Sequence, residues 1–173
     1  MADNAPADVV ESGRLKADPG KYLTFVLGNE AYGLAILKVQ EIIGLMNVTS
    51  VPRTPDFVRG VINLRGKVIP VVDLRVKFNM ESQEDTERTC IIVLQIATTG
   101  HDVTMGIIVD EVSEVLDISA DQIEPAPSLG GNVDTDFILG MGKLGDRVVM
   151  LLDVDKVLNS GEVASVSLVA KES

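Results

Sequence analysis

The sequence predicts a mainly β protein with short helices, built from two copies of one small barrel unit. Three observations predict it. Val, Ile and Leu carry the apolar content, while aromatics are 3% and Trp is absent; β-branched residues suit pleated, half-buried surfaces. Short apolar runs alternate with turns containing Gly, Asn or Asp. Most tellingly, the chain matches itself. A shift of 73 residues sets Gly33-Leu34-Ala35-Ile36 on Gly106-Ile107-Ile108-Val109, Glu41 on Glu114 and Pro52 on Pro125. A shift of 80 residues sets Gly60 on Gly140, Lys67-Val68-Ile69 on Arg147-Val148-Val149, and Val71-Val72-Asp73-Leu74 on Leu151-Leu152-Asp153-Val154. The extra residues fit the loop-like stretch 128–136.

The elements follow in order. Residues 1–20 are polar with small residues and two prolines, and read as a mobile tail. Lys21 to Leu27 is a strand, Gly28-Asn29 a hairpin turn needing positive φ, and Glu30 to Ala35 the returning strand. Ile36, Val39 and Ile42 or Ile43 recur at helix-like spacing, which points to a buried face. Val61 to Leu64, the Arg65-Gly66 turn and Lys67 to Val72 form a hairpin, and Pro70 suggests that its second strand lies at an edge. Asp73 then suits a helix N-cap before the amphipathic turn ending at Phe78. The polar run 81–87 divides the repeats, which span roughly 22–80 and 88–158. The second repeat offers the hairpin Phe137 to Leu152 around Gly145-Asp146, with Asp153 as its cap. Units this small, with many short strands, remove exposed edges by closing into barrels. Two such units packed together would supplement each other's small cores. Residues 161–173 read as a second tail.

The formal net charge is −11. Nucleic acid and anionic membranes reward clustered Lys and Arg, so neither is expected as a partner. The N-terminus lacks a signal peptide's basic and apolar regions, and no apolar run approaches a membrane span, so a cytoplasmic protein is expected. Cys90, the one cysteine, sits in an apolar run and reads as a core thiol.

A search for chemistry finds none. His101, the one histidine, lies in a Gly-His-Asp turn without a catalytic companion. Asp110, Glu111, Glu114 and Asp117 lack calcium-loop spacing, and the glycines over 139–145 lack a phosphate-loop pattern. No catalytic residue, metal site or cofactor is expected. Two competing readings remain open on the residues alone. One is a barrel hydrolase using Asp73, Asp110 or Asp153, two of which are explained as caps. The other is a barrel that binds nucleic acid, against which the charge argues.

The stretch from Val51-Pro52-Arg53-Thr54-Pro55-Asp56-Phe57 through Gly60-Val61-Ile62-Asn63-Leu64-Arg65-Gly66 to Val72-Asp73-Leu74-Arg75 closely resembles the signature of the CheW family. Tyr32 to Ile42 and Gly106 to Asp110 resemble it too, and the likeness covers roughly residues 21–160. The resemblance implies two SH3-like five-stranded barrels forming one CheW-like domain. It implies a non-catalytic adaptor joining the cytoplasmic tips of chemoreceptors to the regulatory domain of a CheA-type histidine kinase. The adaptor would be recruited to membrane-associated arrays without inserting into the membrane. By position, Leu23, Ile36, Val39 and Val51 would face the kinase on the first barrel. Glu41, Ile42, Gly60, Asn63 and Arg65 would face the receptor in a groove between the barrels. For the apolar four, ordinary core packing is the alternative. Arg65 stands out, because the repeat sets it opposite Gly145, so the fold does not require an arginine there.

Overall fold

The computed structural model describes residues 18–78, 80, 84–97, 102–125 and 137–157. Most of the expected N-terminal tail, the C-terminal tail, His101 and the stretch 128–136 lie outside the described residues. Eleven strands run in chain order: β1 (Gly20–Leu27), β2 (Glu30–Ala35), β3 (Val39–Gly44), β4 (Val58–Leu64), β5 (Lys67–Asp73), β6 (Cys90–Ala97), β7 (Asp102–Val109), β8 (Glu111–Ile118), β9 (Ile123–Glu124), β10 (Ile138–Leu144) and β11 (Arg147–Leu152). One four-residue helix, α1 (Leu74–Lys77), follows β5.

The strands form two sheets, ordered β3-β6-β7-β5-β4 and β8-β1-β2-β11-β10-β9. The first uses the continuous segment from β3 to β7. The second takes β1 and β2 from the start of the chain and β8 to β11 from its end. Two barrels were expected, and two are found, but neither barrel is one repeat. Each joins a hairpin of one repeat to three or more strands of the other. The joins are equivalent parallel pairs: Val71 lies beside Gly106 where β5 meets β7, and Leu151 lies beside Gly33 where β11 meets β2. Self-similarity reveals which strands correspond; it does not say which partner each hairpin takes. The chain crosses between barrels twice, at the 3-10 turn Ile36–Lys38 and at Asp110.

This exchange creates three cores. Ile62, Ile69, Val71, Ile91, Val93 and Ile108 fill the five-stranded barrel. Tyr22, Ile118, Val149 and Leu151 fill the six-stranded one. The largest core lies between them, where Leu23, Phe25, Leu27 and Leu34 meet Ile92, Leu94, Ile96, Met105 and Ile107. Phe25, Tyr32, Phe78 and Phe137 stack in a row against it, at centroid spacings of 6.0, 6.0 and 4.9 Å. Strand β6 therefore buries both faces, Ile91 and Val93 toward its barrel and Ile92 and Leu94 toward the interface, which is why it reads as an unbroken apolar run.

Several local expectations hold and several shift. Asp73 caps α1, accepting from the Arg75 N–H at 3.0 Å. Asp153 accepts equivalently from Asp155 at 3.0 Å, yet a turn follows instead of a helix. Strand β5 is interior rather than an edge; Pro70 is tolerated because pairing with β7 begins only at Val71. Ile36 and Val39 pack on the interface core, but the helix-like spacing spans a short 3-10 turn and a strand. Cys90 is half-buried rather than buried, with Sγ 3.0 Å from the Arg88 carbonyl.

Candidate binding surfaces on the five-stranded barrel

The five-stranded sheet ends in β3 on one side and β4 on the other, so closing it requires a seam between them. Thr49 and Val61 make the backbone part, exchanging N–H···O bonds of 2.8 and 2.9 Å. Gly60 makes that approach possible: its φ is 145°, and a Cβ there would lie 2.0 Å from the Thr49 carbonyl oxygen. Side chains extend the seam. Arg65 at the tip of the β4–β5 hairpin reaches Glu41 on β3, with Nη1 3.3 Å from Oε2 and a second contact from Nη2 to Oε1. That hydrogen bond, followed by the guanidinium charge, lowers the Glu41 pKa below its ordinary 4.5 and raises that of Arg65. Arg65 sits at φ 52° and Gly66 at φ 88°, the double positive-φ geometry of a tight hairpin turn. The Gly66 N–H donates to Asn63 Oδ1 at 2.8 Å and braces the turn.

The other barrel carries a looser counterpart of this side-chain contact. Glu114 on β8 is the repeat's counterpart of Glu41, and Arg147 Nη1 lies 3.6 Å from its Oε2. Arg147 corresponds to Lys67 and starts strand β11. The turn position opposite Arg65 is Gly145, φ 65°, where positive φ is easily adopted. A seam arginine can therefore work from the strand. Arg65 instead occupies a backbone conformation that side-chain-bearing residues disfavour.

The nine residues assigned by resemblance separate on the structure. Glu41, Asn63 and Arg65 meet at this seam, Asn63 being exposed; Ile42, 42% exposed, follows Glu41 on β3 and faces the other side of the sheet. Gly60 is buried and acts through the backbone approach. Val51 joins Asn63 in lining an open pocket of 410 Å³ with Thr49, Pro52, Val61 and Val68. Ile36 and Val39 are half-buried beside the interface core. Leu23 takes the core-packing alternative. It lies on β1 of the six-stranded barrel, 2% exposed in the interface core, because alternation points it at the five-stranded barrel. It has no face to offer a partner. Sequence reasoning passed over Leu37, 94% exposed in the 3-10 turn, and Met46, 37% exposed after β3. Both are apolar and exposed, and nothing in their local sequence separates them from core positions.

No chemical centre emerges among the described residues. No group of three or more His, Cys, Asp or Glu is placed to hold a metal. Asp73 and Asp110 are engaged by arginines, and Asp153 caps its turn. No described helix is long and apolar enough to cross a membrane.

Comparison with known proteins decides the family. A family model for the CheW-like domain matches residues 21–162. The chain belongs to the CheW family. It is 47% identical over 151 residues to the chemotaxis protein CheW of Klebsiella aerogenes, covering 87% of this chain and 89% of that protein. It is 33% identical to CheW of Rhizobium meliloti, covering 92% and 96%. Among solved structures, the scaffolding protein TtCheW from Thermoanaerobacter tengcongensis superposes with a TM-score of 0.73 at 35% identity, covering 83% of this chain and 95% of that one. Membership makes this chain an adaptor of chemotaxis signalling.

Proposed function

We propose that the chain couples a CheA-type histidine kinase to chemoreceptors by binding alone, through two separate surfaces of one rigid body. Residues 21–160 act as the unit, and the array at the membrane is reached through the receptors. The receptor surface is the seam corner of Glu41, Asn63 and Arg65, shaped by Gly60, together with Ile42 next to Glu41 on β3. The kinase surface is the neighbouring apolar ground of Ile36, Val39 and Val51, without Leu23. One observation carries this reading. The second barrel sets its seam arginine on the strand, whereas the first places Arg65 on a strained turn. Strain of this kind persists where the surrounding structure over-determines it, and it clusters at functional sites. An arginine so displayed keeps N–H groups for a partner's carboxylate or helix end while Glu41 orients it. Two modest contacts on one body raise the effective concentration of kinase beside receptor.

The test is calorimetry with a kinase regulatory domain and a receptor tip, separately and together. Two separable contacts are expected, each occupied while the other is and each strengthening the other. Binding of neither partner contradicts the reading, and so does turnover of a substrate by the isolated chain.

A further inference from the structure

Arg75 is the most deeply buried cation among the described residues, with 3% of its side chain exposed, and it sits where the barrels meet. Nε donates to Asp73 Oδ1 at 2.9 Å, and Nη2 donates to Asp73 Oδ2 at 3.0 Å and to Asp85 Oδ1 at 2.9 Å. Nη1 donates to Asp110 Oδ1 at 3.0 Å. Arg59 adds a second guanidinium, 3.0 Å from Asp73 Oδ2 and also bonded to Asp85. Burial by itself would lower the Arg75 pKa; its three carboxylate partners outweigh that and hold it well above its ordinary value.

The partners come from different parts of the architecture. Asp73 ends β5 in the five-stranded barrel, and Asp85 lies in the segment joining the repeats. Asp110 is the single residue between β7 and β8, where the chain passes from one barrel to the other. Its Oδ2 accepts the Gly28 N–H at 2.7 Å and its own N–H donates to the Val26 carbonyl at 3.1 Å, both in the β1–β2 hairpin of the six-stranded barrel. A continuous path of charge-assisted hydrogen bonds thus joins the two barrels. The other crossing is pinned alike. Asp155, the repeat's counterpart of Arg75, bonds Lys38 at 2.8 Å and the Ala97 N–H at 2.8 Å. The roles match and the charge is reversed.

Apolar contact between the barrels is strong but non-directional, whereas hydrogen bonds have direction. A buried ion network adds little net stability over well-packed apolar residues, so packing alone does not call for an arginine here. We infer that Arg75, with Asp110 and Asp85 and seconded by Lys38–Asp155, fixes the mutual orientation of the two barrels and is a positioning residue for coupling. The inference rests on the adaptor reading for its functional part.

The test uses the full chain carrying Cys90→Ser, with spin labels on Lys67→Cys and Asp146→Cys, one exposed site per barrel. Pulsed EPR should give one narrow distance distribution when the network is intact. Asp110→Ala and Asp85→Ala, chosen because Arg75→Met itself threatens folding, should broaden or shift it while circular dichroism stays native. Each variant should still bind the kinase domain and the receptor tip singly with affinities near those of the parent. The mutual enhancement of the two partners should fall about tenfold. An unchanged distance distribution in folded Asp110→Ala overturns the inference, as does full coupling by a protein whose distribution has broadened. If the parent binds neither partner, the adaptor reading fails on its own, and the distance measurement still decides the orientation.

Discussion

The two barrels share one plan and differ at corresponding points. Both set an arginine on the equivalent glutamate, Arg65 on Glu41 and, more loosely, Arg147 on Glu114. One arginine stands on a positive-φ turn and the other on a strand. Both crossings between barrels are pinned by the residue two positions after the capping aspartate, buried Arg75 in one repeat and half-exposed Asp155 in the other. Where one copy does the same structural work without a residue, as Arg147 does without a turn arginine, the other copy's choice is free to serve partners. By that measure the first hairpin is the specialised one.

The largest effect should separate the two pins. Arg75→Met strips Asp110 of its cation, leaves Asp73 and Asp85 to Arg59 alone, and should cost about 3–5 kcal/mol in denaturant unfolding. Asp155→Ala should cost only about 1 kcal/mol, because Lys38 and Asp155 keep 35% and 28% of their side chains in water. Equal losses would mean that the two crossings do the same work. At the seam, Gly60→Ala should cost about 3 kcal/mol or more, since its Cβ would meet a backbone oxygen that cannot step aside.

The parallel joins offer a finer contrast. A Cβ on Gly106 would lie 2.6 Å from Ile91 Cγ2, whereas one on Gly33 would lie 3.2 Å from Val149 Cγ1. Gly106→Ala should cost roughly 1–3 kcal/mol. Gly33→Ala should cost about 1 kcal/mol or less, and reversal of that order would show that the six-stranded barrel is the tighter.

The smallest effect is a titration. The Arg65 hydrogen bond lowers the Glu41 pKa, so the pair contributes above the ordinary carboxylate pKa, and its contribution fades as pH falls through the depressed value. NMR should place the Glu41 midpoint below 4.5 in the parent and near it in Arg65→Ala. No movement on substitution would mean that the pair is not formed in solution.

Much of this was legible in the sequence, for physical reasons. The hairpins, the Asp73 cap and the two-barrel plan rest on local turn chemistry and on internal similarity, and both are written in adjacent residues. The exchange of hairpins was not legible, because a repeat records equivalence and not pairing. The burial of Leu23 was not legible because β1 is buried on both sides, Tyr22 into its barrel and Leu23 into the interface, so alternation gave no sign of a free face. Arg75 reads as one charge in an amphipathic turn, and its partner Asp110 lies 35 residues away. Arg65 was singled out by its contrast with Gly145; the structure adds that both positions need positive φ and that Arg147 supplies the second seam.

The central claim is that Arg65 stands on the turn for recognition rather than for closure. The direct test copies the second barrel's solution into the first by combining Arg65→Gly with Lys67→Arg. Calorimetry would then compare receptor-tip binding with kinase-domain binding in the parent and the double variant. The account predicts an unfolding temperature equal to or above the parent's, unchanged kinase binding, and receptor affinity reduced about tenfold or more. Receptor binding that survives intact in this folded variant would contradict it.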